Sequence, residues 1–427
     1  MVLSTVKLRS SRTNARQNNQ IAALRKAGVI VATINSTMDR EARNAVLVDL
    51  QCGHPHTKLL YVTPEYCAQD HFRRVLRIVY NQQQLSRIAV DEAHCISEWG
   101  HDFRRSFKEL SFFRRELPSV PIMCLTATAT STVRSDVIST LELDTRKLKL
   151  YTMTTVRSNL HYEVRFKNDE EDHYPNFLTW LQGVHARRAS RPQRANQLVA
   201  SKERIDNVCG IIYTWTRSDC EILAARLRDD GIGAKAYHAG LTSSQKDDHL
   251  QGWVENRIGY DVIVATTAFG MGIDKDNVRF VVHWQLPRSF EGFYQEAGRA
   301  GRDGKGSVCI MYYSREDRDR AASMLARDNA KAPKNNKMVG RSGILTDTQL
   351  NRARSLQALI GYCEDVGHCR HQLICDYFGE DTCAPCEWAC DWHKDAGTLV
   401  RAKDGGLASE EWCTTQRQMG AYEVEYY

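Results

Sequence analysis

No apolar run in this 427-residue chain approaches the ~18 residues that a membrane span requires. The longest, such as Val262-Ile263-Val264-Ala265 and Val281-Val282, are strand-sized at most. The N-terminus carries Lys7, Arg9, Arg12 and Arg16 without an apolar h-region, so it does not read as a secretory signal; a transit peptide stays open. No internal repeat of fixed short period is present. Nor are the cysteines spread as a secreted disulfide framework would spread them. Half of the 14 lie singly in apparent core segments, and the other half begin at Cys363. That clustering points to a reduced, intracellular protein with one local metal site. What is present is ordinary for a globular chain, with 42% hydrophobic and 26% charged residues, and the length suits two or three domains. A net charge of +6 permits a polyanionic partner without requiring one.

Short β-rich apolar runs recur at 59–63, 87–91, 122–126, 210–214, 261–266, 279–284 and 307–313. Helix-like stretches at 107–116, 218–229 and 243–253 separate some of them. Strand and helix in alternation predict a mostly parallel sheet covered on both faces, with ligands at the carboxyl ends of its strands. The unusual residues fall at those ends: Asp91 and Glu92, Thr126, Thr266, and the segment after Trp284.

An apolar strand ending in two carboxylates suits nucleotide hydrolysis, one carboxylate holding Mg²⁺ and the next deprotonating the attacking water. A solvated strand end is the plain alternative. The run Leu125-Thr126-Ala127-Thr128-Ala129-Thr130 places small hydroxyls at another strand end, where they could relay a change at phosphate to nucleic acid. Taken alone it reads better as a Ser/Thr-rich turn. Arg299 and Arg302, three apart in QEAGRAGRDG, are predicted to share one face of a helical turn and to suit a transferring phosphoryl group. The alternative is a solvated helix face, which the flanking glycines disfavour.

In order, DEAH at 91–94, the stretch from Cys95 to Arg104, LTATAT at 125–130, GIIYTWTRSDCE at 210–221, AYHAGL at 236–241, VIVATTAFGMGIDKDNVRFVVHW at 262–284 and QEAGRAGRDG at 295–304 resemble the motifs of the RecQ family of superfamily 2 DNA helicases. The resemblance covers roughly 18–166 and 207–320, with a zinc-binding segment to about 393. It implies two RecA-like parallel-sheet lobes, the first incomplete, followed by a small zinc-binding helical segment. The implied boundaries are an unmatched N-terminus at 1–18, a partial first lobe at 19–162 and a linker with a basic insertion at 163–206. A second lobe at 207–329, a linker at 330–342, the zinc segment at 343–395 and a tail at 396–427 follow.

Carried over residue by residue, Asp91 holds Mg²⁺ through water, Glu92 is the catalytic base and His94 couples hydrolysis to movement. Thr126, Gly270, Gly272, Asp274 and Gln295 would line the ATP site. Arg302, with Arg299 close behind, would be the arginine finger. Trp99, His101, Phe103 and Arg104 would sense single-stranded DNA together with Thr128 and Thr266, since an aromatic face stacks on any base and arginine holds phosphate. Plain core packing is the alternative for Trp99 and Phe103. Arg105-Ser106-Phe107 departs from the Pro, acidic residue and Tyr usual in the family, which bears on DNA coupling. Cys369, Cys383, Cys386 and Cys390 would bind Zn²⁺, with His393 a rival fourth ligand. By the same match Cys363 and Cys375 are not ligands.

The sequence holds no G-x4-G-K-[ST] string of the kind that cradles phosphates. Gly304-Lys305 precedes a strand and is in the wrong context. The resemblance begins just after the family's first DNA-contacting motif, near Gln20. The central strand of the first lobe is therefore expected to be missing, its sheet uncovered and its stability poor. Two functions follow as expectations. One is an ATP-dependent 3′–5′ DNA helicase of RecQ type, nuclear, acting in repair, recombination and replication on single-stranded and branched DNA. The other is an ATPase-incompetent DNA-binding or regulatory protein derived from one. No membrane role is implied, and protein partners are not legible.

Overall fold

The computed structural model describes residues 7–10, 21, 24–35, 38–97, 105–168, 171–190, 198, 204–206, 208–267, 269, 275–331, 346–386 and 390–408. Two compact units are present: Met1–Met153 with Met271–Asp274 and Ile344–Asn351, and Thr154–Gly270 with Lys275–Gly343 and Arg352–Tyr427.

The first unit is built on a five-stranded, wholly parallel sheet. Its strands are β1 (Lys7–Ser10), β2 (Val31–Ile34), β3 (Leu59–Val62), β4 (Arg87–Val90) and β5 (Ile122–Cys124), in the order β2-β3-β1-β4-β5. Parallel neighbours need crossovers, and helices supply them. Helix Asp70–Asn81 shows why: Phe72, Val75, Leu76 and Val79 recur at helical spacing and bury one face in the core with Leu60, Val62, Ile88 and Val90. One expectation is corrected here. The slot at the centre of this sheet is filled, because Leu8 pairs with Leu60 on one side and Ile88 on the other. Four residues from the stretch assigned to nothing supply the backbone ladder that the resemblance leaves empty.

The second unit contains a six-stranded parallel sheet of β6 (Leu160–Phe166), β7 (Gly210–Tyr213), β8 (Ala234–Tyr237), β9 (Val262–Ala265), β10 (Phe280–His283) and β11 (Ser307–Tyr313). The order is β6-β11-β10-β7-β9-β8. Every residue of β7, β9 and β10 is buried, as expected of strands covered on both faces. Capping boxes open two of the covering helices, Thr216 with Asp219 and Thr242 with Gln245.

Two boundaries differ from the sequence reading. Residues 163–166 are not linker: they complete β6, which pairs with β11 along its whole length. Helix Tyr174–Ala189 follows, burying Tyr174, Phe177 and Leu181. Charge hid both elements. Glu163 and Arg165 alternate with buried Tyr162 and Val164 and pair with each other at 2.7 Å, so the strand carries its ions on its half-exposed face. The second difference lies at the C-terminus. Helix Asp391–Ala408 runs past the expected end of the zinc segment, broken only at Asp395 (φ −165°, ψ 87°). Lys403 Nζ donates to the Glu364 carbonyl at 2.5 Å, and a Cβ on Gly406 would come 2.7 Å from that of Phe166. Of the expected linker at 330–342 the first two residues end helix Arg315–Lys331, and residues 332–342, like the expected tail from 409 on, lie outside the described residues.

Candidate nucleotide and metal sites

In the first unit the backbone after β4 turns sharply. Asp91 is buried, Glu92 adopts the left-handed conformation (φ 52°, ψ 45°), and a 3-10 turn Ala93–Ile96 follows. Left-handed backbone is unfavourable for a residue with a Cβ, and it places the Glu92 carboxylate back over the turn. Oε2 of Glu92 lies 3.5 Å from Nδ1 of His94. The same ring nitrogen is 3.0 Å from Thr126 Oγ1, which also accepts from the Thr128 amide at 3.1 Å. Backbone bonds join the two strand ends as well: Leu125 N–H donates to the Val90 carbonyl and Ala93 N–H to that of Leu125. The DEAH and LTATAT segments therefore form one hydrogen-bonded body, with His94 and Thr128 both buried. Of the departing residues, Phe107 packs in the core and Ser106 donates to Glu65 at 2.9 Å. Trp99, His101, Phe103 and Arg104 lie outside the described residues.

In the second unit Thr266 follows β9 and its amide donates to the Tyr237 carbonyl at 3.3 Å. Gly270, Gly272 and Asp274 lie outside the described residues. Helix Phe290–Ala297 bears Gln295 and ends before Arg299, so the expectation that Arg299 and Arg302 share a helical face is corrected. Gly301, at φ +54°, turns the chain: Arg299 is buried while Arg302 is exposed. Nε of Arg299 has no hydrogen-bond partner among the described residues. The Arg299 side chain lies near Tyr213, whose hydroxyl donates to the Phe269 carbonyl at 2.8 Å. Tyr213 stacks on His283, and Nε2 of His283 meets Glu296 at 2.9 Å in a buried pair. Burial pushes the Tyr213 phenol well up, so it stays protonated and able to donate. Sequence reasoning passed over Tyr213, His283 and Glu296, although all three sit within the quoted motifs.

In the cysteine-rich segment, ligand atoms of Cys369, Cys386, Cys390 and His393 lie within 4.8 Å of one another. The Cys390 and Cys369 sulfurs are 3.9 Å apart, close to the ~3.7 Å edge of a tetrahedron with Zn–S bonds of about 2.3 Å. Cys390 Sγ is 3.2 Å from His393 Nδ1. Three of the four expected cysteines are thus brought together, with His393 beside them. Cys383 is outside the group, and Cys375 donates to Glu380 at 3.7 Å. The reason is helical spacing: His393 stands three residues after Cys390 at the start of helix Asp391–Ala408, so the two project to one side. Cys390 donates to Cys369, which holds the Cys369 thiol low and pushes Cys390 up to about 12.

Around the group, buried His371 bonds the Leu160 carbonyl through Nε2 at 3.1 Å. A carbonyl only accepts, so Nε2 carries the proton and Nδ1 faces Cys386 Sγ at 2.8 Å as an acceptor. Burial lowers this imidazole to about 4, keeping it neutral. Fully buried Arg370 donates to both carboxylate oxygens of Asp391, which also accepts from the Val164 amide of β6. Arg-His directly after the first cysteine and Asp directly after the last was the available signal.

The family models match in the same order as these features. A DEAD/DEAH box helicase model matches residues 13–136, a helicase conserved C-terminal domain 191–304, and a RecQ zinc-binding model 315–394. Among curated proteins, the ATP-dependent DNA helicase Q5 of Mus musculus is 37% identical over 96% of this chain, which spans 40% of that protein's length. The RecQ-like DNA helicase BLM of Xenopus laevis is 38% identical over 81% of this chain and 23% of its own. The chain therefore corresponds to less than half of either relative. A solved DUF1998 helicase, MrfA bound to DNA and AMPPNP, shares the fold at a TM-score of 0.53 and 15% identity, covering 88% of this chain and 51% of that one. With two parallel-sheet units carrying the DEAH and arginine motifs, and a RecQ zinc-binding segment behind them, the chain belongs to the RecQ family of helicases.

Proposed function

We propose that this chain is the motor portion of a RecQ-type helicase that couples ATP hydrolysis to 3′–5′ movement on DNA, acting in the nucleus in repair, recombination and replication. The observation that carries this reading is the joined strand end of the first unit. There Asp91 and Glu92 stand beside a His94 that is already bonded to Thr126. Asp91 would hold Mg²⁺ through water, and the cation would offset charge on the phosphates. Glu92 accepts the proton of the attacking water. Charge lost from Glu92 is felt by His94, and through Thr126 by the amide of Thr128, so the LTATAT segment is where hydrolysis is communicated to bound DNA. Arg299 and Arg302 supply guanidinium to the phosphoryl oxygens, which in such reactions carry the charge. Thr266 and the aromatic residues Trp99 and Phe103 are assigned to single-stranded and branched DNA. Cys369, Cys386, Cys390 and His393 would hold Zn²⁺, in a structural role.

A second reading has one observation in its favour: the 427 residues include no G-x4-G-K-[ST] string. On that reading the chain binds DNA without turning over ATP. Phosphate release with and without single-stranded DNA, in wild type and Glu92→Gln, separates the two. The helicase reading expects DNA-stimulated release that falls by about 10³-fold or more in the variant. Salt-sensitive DNA binding with no release in either protein supports the second.

A further inference from the structure

The loop that bears Arg299 and Arg302 is held from outside by two residues more than 130 positions upstream. Nη1 of Arg157 donates to the carbonyls of Gly298 at 3.1 Å and Ala300 at 3.0 Å, and Nη2 donates to that of Gly301. Asn159 Nδ2 donates to the Gly301 and Lys305 carbonyls, each at 2.9 Å. These carbonyls follow the end of helix Phe290–Ala297, where backbone acceptors lack intrahelical partners and the helix dipole favours a cation. A planar guanidinium reaches three of them at once, which a lysine ammonium does less well. The fit is close. A Cβ on Gly301 would stand 2.6 Å from Asn159 Nδ2, and its φ of +54° already disfavours any other residue.

The upstream segment is itself fixed on both sides. Tyr294, on the same helix as Gln295, donates its hydroxyl to the Thr155 carbonyl at 2.8 Å. Glu380, just after the left-handed Gly379, accepts from the Thr155 amide at 2.7 Å and the Thr154 hydroxyl at 3.2 Å. The Glu380 amide in turn donates to the Cys375 carbonyl at 3.0 Å. The segment from Thr154 to Asn159 therefore ties the cysteine-rich segment to the arginine loop through continuous hydrogen bonds.

We infer that Arg157 and Asn159 are positioning residues: they bond the backbone of the loop and set where Arg299 and Arg302 point. The consequence for catalysis rests on the functional reading above; the clamp itself does not. Hydrogen exchange of the full chain is followed by mass spectrometry in wild type, Arg157→Ala and Arg157→Lys. Loss of one charge-assisted bond set in Arg157→Ala is expected to speed exchange at 298–305 on the order of 10- to 100-fold, with β7, β9 and β10 unchanged. Arg157→Lys should recover part of that protection. Unchanged exchange at 298–305, or an equal rise throughout the second unit, overturns the inference. In the parallel hydrolysis assay, Arg157→Ala should lower kcat by about tenfold with little change in KM for ATP, and Arg157→Lys should restore part of it. A raised KM with kcat intact overturns the positioning role. Wild type that releases no phosphate sinks the functional reading instead, and the exchange arm then decides the clamp alone.

Discussion

At the scale of single residues, the two acidic side chains Glu92 and Glu163 are held in opposite ways. Glu92 sits in left-handed backbone that costs a Cβ-bearing residue on the order of 1–2 kcal/mol. Such strain at the head of a carboxylate pair fits a position kept for chemistry at the expense of stability. Glu92→Gly should therefore raise the unfolding midpoint of the first unit by about 2–4 °C, a net gain near 1 kcal/mol, while abolishing any DNA-stimulated phosphate release. Calorimetry of the variant showing an unchanged or lower midpoint would argue that the left-handed turn carries no strain. Glu163 is the reverse case. Burial alone would raise it, but the His161 imidazole 3.6 Å away and the Arg165 guanidinium outweigh burial and bring it to about 2. A carboxyl depressed in the folded state adds stability above its unfolded value of about 4.3 and gives it up as pH falls toward 2. Wild type should thus melt higher than Glu163→Gln at pH 6, and the gap should close between roughly pH 4.3 and 2. A gap that stays constant with pH would show that the pair contributes nothing through ionisation.

At the scale of elements, buried Arg370 and Asp391 join the start of helix Arg370–Phe378 to the start of helix Asp391–Ala408 and both to β6. Removing one partner strands the other charge, which typically costs about 3–5 kcal/mol, more than the pair itself contributes. Asp391→Ala is expected to lose about that much in urea unfolding of the second unit, and Arg370→Met with Asp391→Leu to recover most of it. A double variant as unstable as the single would mean that the carboxylate acts chiefly through the Val164 amide. The sequence marks Arg370 and Asp391 only by their places beside cysteines; that they pair with each other and with β6 is not legible there, and the reason is general. Elements whose apolar residues are contiguous announced themselves: β7, β9, β10 and β11 stand within a residue or two of where the apolar runs put them. Elements whose buried residues alternate with ions did not. β6 and helix Tyr174–Ala189 were concealed by Glu163, Arg165 and the charge runs beside them. The DEAH end was legible because its residues are adjacent in the chain. The Arg157 clamp was not, because its partners are 141 to 146 residues away.

At the scale of the whole molecule, the segment after β11 buries Leu356, Leu359, Ile374 and Phe378 and is held by side-chain chemistry as well. Glu291 accepts from Ser355 and Tyr377, each at 2.5 Å, and Phe290 stacks on Tyr377 at 4.0 Å, so three helices meet at one buried carboxylate. A zinc ion on Cys369, Cys386, Cys390 and His393 would close the remaining loop, and its binding energy would count as folding energy. Chelation of the full chain is then expected to lower the midpoint of the second unit on the order of 10 °C and to leave the first unit unmoved. The ligand set decides which substitutions matter. Cys383→Ser should keep one equivalent of zinc, because Cys383 stands outside the group. His393→Ala should lose the metal, and His393→Cys should hold it, since a thiolate serves as well in a tetrahedral site. Metal analysis in which Cys383→Ser releases zinc while His393→Ala retains it would reverse the assignment. In that event the four-cysteine arrangement is the one that forms around the ion, and the position of Cys383 outside the group is confined to the metal-free chain.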